Sequence, residues 1–320
     1  MEMKKGFTLI EMIFVIVISA ILSIGSFKAI EALYIRSAKA QAITDMTLRS
    51  QIVLDQLSQL IYNRIPNSVI GYKADGSNDC ESIDEITSDD NYTILEWVGS
   101  MNDELIQKKY DSFIDMSASD KDTNVLATRD IRKELNSSDV NLIFAGSFDD
   151  GTEGSVSACE GAFGWHGRDS NLSFIVSIDE NSTKLTDDED HQPDDIYEKY
   201  YLTNTAYAVA RGKDLNISDL EDNCDGGNYV FPSQFDFNTT LFLFYGYQPY
   251  EYDKSSNTEI DNTFCGDSVG TREGNVSILA TDIHAFEVEY KNRAIILNLD
   301  MNRTIRGATS VYIPKQKAIY

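Results

Sequence analysis

Proline is scarce, five residues in a chain of 320, which excludes a linker-rich or polyproline architecture. Histidine is scarcer still. His166, His191 and His284 lie far apart, so no pair of them has the short spacing of a zinc helix, and neither the phosphate-loop pattern nor H-E-x-x-H occurs. The four cysteines, Cys80, Cys159, Cys224 and Cys265, never fall as C-x-x-C; a zinc ribbon and a thioredoxin-type redox site are therefore unsupported. Positive charge is the other shortage. Beyond residue 50 the chain carries 21 Lys/Arg against 48 Asp/Glu, out of 27 and 52 in the whole chain. A body that acidic repels phosphate backbones, which argues against direct nucleic-acid binding. These absences together point away from an enzyme.

What is present begins at the N-terminus. Met1-Glu2-Met3-Lys4-Lys5-Gly6 is short and basic, and an apolar run from Phe7 to Phe27 follows it. As a helix, those residues span about 31 Å, close to the hydrocarbon thickness of a bilayer. Lys4 and Lys5 favour a cytoplasmic N-terminus and an acidic body on the far side. Two ordinary readings compete: a secretory signal peptide, for which Ser23-Ile24-Gly25 offers a small-x-small cleavage triplet, and an uncleaved anchor. Neither accounts for Glu11, because a carboxylate within an apolar span is costly and marks function.

The stretch Lys4-Lys5-Gly6-Phe7-Thr8-Leu9-Ile10-Glu11 resembles the processing signal of type IV prepilins and type II secretion pseudopilins. The resemblance implies cleavage between Gly6 and Phe7 by prepilin peptidase and N-methylation of Phe7. It also implies that Glu11 serves assembly, pairing with the terminal amine of a neighbouring subunit and so setting axial register. Implied partners are other pilin-like subunits, the peptidase, an inner-membrane assembly platform and the lipid bilayer. The implied location is the bacterial inner membrane, single-pass, with the head periplasmic and the chain entering a filament. The length resembles that of larger minor subunits, thought to sit at or near the tip. The alternative is a membrane-anchored adhesin or binding module that borrows the same processing.

Domain boundaries follow from the pattern. Residues 1–6 form a leader, 7–27 the transmembrane part of a helix, 28–65 its amphipathic continuation and 66–320 a β-rich head. No proline interrupts Lys28–Arg64, and apolar residues recur at Ile43, Met46, Val53, Leu57, Leu60 and Ile61, a helical stripe. Ile65-Pro66-Asn67 is the stop signal. Strands are expected at Tyr92–Val98, Asn141–Ala145, Leu172–Ser177, Tyr200–Ala210, Leu241–Tyr247, Val276–Ala280, Ile283–Tyr290 and Ala294–Leu299, the last two joined as a hairpin through Lys291-Asn292-Arg293. The fold class is α+β: a long N-terminal helix whose second half packs on an antiparallel head, the ladle of pilins.

Three further expectations concern the head. A periplasmic body makes disulfides among the four cysteines reasonable, with pairing open. Asp187, Asp188, Asp190, Asp194 and Asp195 cluster as weak calcium ligands, although no EF-hand spacing accompanies them; no other cofactor is called for. In the ring-dense stretch Leu241–Tyr252 the first half reads as a core strand, and the Tyr-rich second half offers a partner or carbohydrate surface.

Overall fold

The computed structural model describes residues 8–73, 80–87, 92–120, 123, 125–128, 140–148, 163, 165, 173–178, 183–185, 193, 195–224, 230–232, 235–249, 264–265, 274–305 and 309–320. It is an α+β fold in which one long helix precedes antiparallel sheets.

Helix α1 runs from Leu9 to Tyr62, 54 residues, or about 81 Å. It ends four residues before Pro66, whose ring and missing N–H cannot continue a helix. Arg64 closes the end: its Nη1 donates to the Ile61 carbonyl at 2.9 Å, satisfying one of the orphaned acceptors of the last turn. Ala42, Met46, Ser50, Val53, Leu54, Leu57 and Ile61 are buried, the three- and four-residue spacing of one helix face. The expected stripe shifts accordingly. Ile43 is 38% exposed and Leu60 half-buried, because the buried arc is centred one position earlier, where Ala42 and Ser50 lie.

Short strands β1 (Ile70–Tyr72) and β2 (Cys80–Ser82) precede β3 (Ile94–Gly99) and the short helix α2 (Asn102–Ile106). Strands β4 (Val125–Leu126), β5 (Asn141–Phe144), β6 (Ser173–Ile178), β7 (Thr183–Leu185), β8 (Tyr200–Thr203) and β9 (Thr205–Arg211) follow, then helix α3 (Ile217–Asn223). The chain closes with β10 (Leu241–Tyr247), β11 (Asn275–Ala280), β12 (Ile283–Lys291), β13 (Ala294–Ile305) and β14 (Thr309–Ile319). Three sheets result, of order β11-β10-β9-β3-β1-β2, β4-β7-β6-β5-β8 and β12-β13-β14.

The run expected as one strand over Tyr200–Ala210 is two. The chain leaves the five-stranded sheet at Thr203 and enters the six-stranded sheet at Thr205, with Asn204 as the break. Strand β10 pairs with β9 and β11 and carries a bulge between Tyr245 and Tyr247. Gly246 occupies it at φ 87°, which only glycine adopts without strain. The hairpin at Lys291–Ala294 forms as expected. Asn292 and Arg293 both take positive φ, 54° and 63°, the two-residue turn whose twist matches its strands. Strand β14 was not expected. It contains Pro314, and a proline is tolerated there because β14 lies at the edge of its sheet.

The chain divides into two compact units. The first joins Met1–Arg49 with Asn302–Ile313, and the second Ser50–Met301 with Pro314–Tyr320. Within the first, Asp45 is held twice: its Oδ1 lies 2.9 Å from Arg49 Nε and its Oδ2 2.8 Å from Arg303 Nη1. Within the second, Lys317 on β14 reaches Asp55 on α1 at 2.8 Å.

The second unit contains two apolar clusters. One lies on the six-stranded sheet, where Ile70, Ile94, Val98, Ala208, Phe242 and Phe244 meet Trp165 and the linked Cys224 and Cys265. The other gathers Tyr110, Leu126, Leu142, Phe144, Phe174 and Leu202 on the five-stranded sheet.

Candidate functional site

The N-terminal part of α1 is the candidate, and its first turn is built by two side chains. Thr8 precedes the helix. Its backbone N–H and its hydroxyl each donate to Glu11 Oε2 at 3.0 Å, while the Glu11 N–H reaches back to Thr8 Oγ1 at 3.4 Å. This is a capping box: a threonine and the glutamate three residues on satisfy each other's orphaned donors. Sequence reasoning treated Glu11 as a charge without a local partner, although T-x-x-E ahead of an apolar run is the signature of such a cap. The box lowers the cost of placing a carboxylate there. It does not neutralise it, since both donors are uncharged.

From Leu9 to Phe27 every described residue is exposed, including Ile13 at 53%, Phe14 at 61% and Ile21 at 65%. Two of the three serine hydroxyls within this run are turned inward: Ser23 donates to the Ser19 carbonyl at 2.7 Å and Ser26 to the Leu22 carbonyl at 2.9 Å. Such back-bonding hides polar groups along the helix, the requirement for a segment with no water around it. Length and composition suffice for α1 to cross a membrane. Gly6 and Phe7 lie outside the described residues.

The other candidate residues are distributed as follows. Cys224, at the end of α3, is joined to Cys265; both are closed off in the core. Cys80 on β2 is also disulfide-bonded, whereas Cys159 lies outside the described residues, and so does the partner bond. Of the calcium candidates, Asp187, Asp188, Asp190 and Asp194 lie outside the described residues and only Asp195 within them. Among the described residues, no three His, Cys, Asp or Glu side chains gather as a metal site. Within the Tyr-rich second half, Tyr247 and Gln248 are fully buried and offer no surface; Tyr250 and Tyr252 lie outside the described residues. His284 is exposed on β12, and His166 and His191 are not described.

One buried pair escaped sequence reasoning. Glu96 on β3 is 1% exposed and accepts a hydrogen bond from the Tyr247 hydroxyl at 3.2 Å. Burial, and then the Glu96 charge, push the Tyr247 phenol well above its ordinary pKa. Glu96 sits among Leu95, Trp97 and Val98 in a run that reads as continuous apolar strand, so nothing in the pattern distinguishes it. Both groups are sealed from solvent, which makes the pair an internal brace between strands and not a reacting centre. Residues 266–270, Gly-Asp-Ser-Val-Gly, have the spacing of a nucleophile elbow. They lie outside the described residues, and sequence reasoning passed over them.

Residues 1–27 match the family model of the prokaryotic N-terminal methylation motif, the prepilin-type signature. No curated protein and no solved structure matches the chain. The motif and the bare apolar helix that carries it coincide in position, and together they support a membrane-anchored, prepilin-type subunit.

Proposed function

We propose that the chain is a minor pilin or pseudopilin, cut between Gly6 and Phe7 by prepilin peptidase, methylated on Phe7, and assembled at or near the tip of a type II secretion pseudopilus or type IV pilus. The observation that carries the proposal is the match of residues 1–27 to the N-terminal methylation motif. In this reading the mature chain spans the inner membrane once through 7–27. The new amine faces the cytoplasm, and residues beyond the helix form a periplasmic head. Its partners are other pilin-like subunits and the assembly platform, and its role is assembly, not catalysis.

The chemistry of the site supports this role. Cleavage at Gly6 would leave a cationic amine one residue before the capping box. Glu11, about one turn inside, would meet the amine of a subunit at a different height. Leaving one member of such a pair unmatched in low dielectric costs about 3–5 kcal/mol, which is enough to fix axial register. The oxidised cysteines fit a periplasmic head, because disulfides persist outside the reducing cytoplasm.

N-terminal mass spectrometry of membrane-extracted protein tests the reading. A mature chain beginning at methylated Phe7 is expected, and Gly6→Leu should leave the precursor uncut. A chain beginning at Ser26, or retaining Met1, would overturn it.

A further inference from the structure

Between the bare apolar run and the first buried residue, Ala42, α1 passes through a stretch that the proposed assembly role does not use. Lys28, Arg36 and Lys39 lie there, all exposed, and none makes an ion pair with a described residue, in contrast to Arg49 and Arg303, which share Asp45. At 100° per residue, Lys28, Lys39 and Arg36 fall within an arc of about 80°. Ile30, Leu33 and Tyr34, each at least 60% exposed, fall on the opposite side. Glu31, exposed at the flank of the arc, is the one acidic residue in the stretch, so the local balance is positive while the chain as a whole is at −25.

Heights along the helix matter as much as the arc. With Leu9 at one edge of the hydrocarbon, Lys28 lies about 28 Å further on, at the other edge of a core about 30 Å thick. Tyr34 then lies at the level of the interfacial aromatic belt. Arg36 and Lys39, three residues apart on one face, lie about 12 and 16 Å above Lys28. Helical side chains lean toward the N-terminus, here toward the membrane, which lowers both charges to within a Debye length of the phosphate plane. Cations in this place run against the charge bias that keeps Lys and Arg on the cytoplasmic side.

We infer that the Lys28, Arg36 and Lys39 face of α1 is a docking surface for the headgroup of an anionic phospholipid in the outer leaflet of the membrane that α1 crosses. Arg36 and Lys39 clip the phosphate from above, and Lys28 holds the ester region. The apolar Ile30, Leu33 and Tyr34 face lies against the glycerol and ester level of the interface on the other side. The inference rests on the membrane-anchored reading of α1. Acidic lipid, not a second copy, is the occupant, because the stretch begins at the edge of the apolar span and its cations point down toward the bilayer.

The test uses the full processed chain in vesicles of phosphatidylcholine containing a minority of phosphatidylglycerol, excised with a disc-forming polymer so that the adjoining lipids come with it. Lipids around the wild-type chain should be enriched in phosphatidylglycerol about fivefold over the bulk vesicle, the ratio equivalent to about 1 kcal/mol. High salt should reduce the enrichment, and the Lys28→Gln, Arg36→Gln, Lys39→Gln triple variant should show the bulk ratio. Bulk composition around the wild-type chain, equal enrichment around the triple variant, or crosslinks from residue 36 to the head of another copy in place of lipid would each overturn the proposal. Extraction by alkaline carbonate distinguishes the premise from the inference: a chain released by carbonate was never anchored, while a firmly inserted chain with bulk lipid around it defeats the lipid site alone. Since residues 28–39 contribute nothing fully buried, unchanged urea unfolding of the triple variant confirms that the head is intact.

Discussion

The two halves of α1 share one backbone and have opposite surroundings. From Leu9 to Phe27 the helix bears large apolar residues on all sides, every one exposed. From Ala42 to Ile61 it buries a single face and leaves Leu48 and Ile52, at 59% and 55%, outside it. Helical geometry is therefore indifferent to what surrounds it, and the distribution of side chains decides: apolar all round requires an apolar medium, while an apolar stripe requires a partner surface. The contrast predicts that changes to the second half and to what covers it will be felt in the stability of the head, and changes to the first half will not.

The largest effect should come from the head itself. The Cys224–Cys265 link closes 41 residues, for which the chain-entropy model gives about 4 kcal/mol. The Cys224→Ala, Cys265→Ala double variant, which leaves no unpaired thiol behind, should lose about that amount in urea unfolding followed through the buried Trp97 and Trp165. An unchanged midpoint would mean that the loop is already ordered without the link. Next comes the helix. Leu57 is 0% exposed, and Leu57→Ala should cost about 2–5 kcal/mol by removing buried methyls and leaving a cavity. Ile16→Ala, a comparable truncation in the bare half, should leave the unfolding of the head unaltered. Equal losses for the two would abolish the distinction between the halves.

How much of this was legible follows from what each signal depends on. The long helix was readable because 54 residues without proline join an apolar run of membrane length to a periodic stripe, and the β12–β13 hairpin because Asn292 marks its turn. Strand β14 was hidden by Pro314, Lys315 and Lys317. A proline at a sheet edge and a lysine whose head reaches back to the helix, as Lys317 does to Asp55, look like loop in one dimension. The split at Asn204 was hidden because both sides of it are equally apolar, and which sheet a strand joins is a long-range matter. At the site, the motif 4–11 was read through its resemblance to prepilin processing signals. The capping role of Glu11 was missed because the cost of the carboxylate was weighed without its neighbour Thr8.

A smaller effect belongs to Asp45, where the first unit ties its two segments together. Burial raises its pKa, but hydrogen bonds from Arg303 and Arg49, together with their charges, outweigh burial and hold the carboxyl below its usual value. A carboxyl depressed in the folded state contributes stability above its unfolded pKa of about 3.9, and that contribution is lost as pH falls through the folded value. Asp45 is 38% exposed, so solvent and salt screen the pair and the gain is modest. Asp45→Asn should unfold slightly more easily than wild type at pH 7, and the difference should close below about pH 4 and in high salt. A gap that persists unchanged into acid would assign the effect to packing instead of charge.

The smallest effect on the head should come from Glu11, and there the comparison becomes sharpest. Glu11 lies in the bare half, so neither Glu11→Ala nor Glu11→Gln should move the unfolding of the head. In assembly the two variants separate two roles. Glutamine completes a capping box as glutamate does, accepting from the Thr8 N–H and hydroxyl, but it carries no charge for another subunit's amine. Alanine loses both. Thr8→Ala is the mirror change: it removes the hydroxyl from the box, at a cost of about 0.5–2 kcal/mol to the first turn, and keeps the carboxylate. If Glu11 sets register by its charge, both Glu11 variants remain processed and membrane-resident yet fail to crosslink or co-purify with other pilin-like subunits, and Thr8→Ala assembles. If its role is the cap, Glu11→Gln assembles as wild type does, while Glu11→Ala and Thr8→Ala fail together. The charge is expected to decide, because an unpaired carboxylate in low dielectric outweighs one helix cap by a factor of about two or more. Wild-type assembly of Glu11→Ala would remove both roles at once.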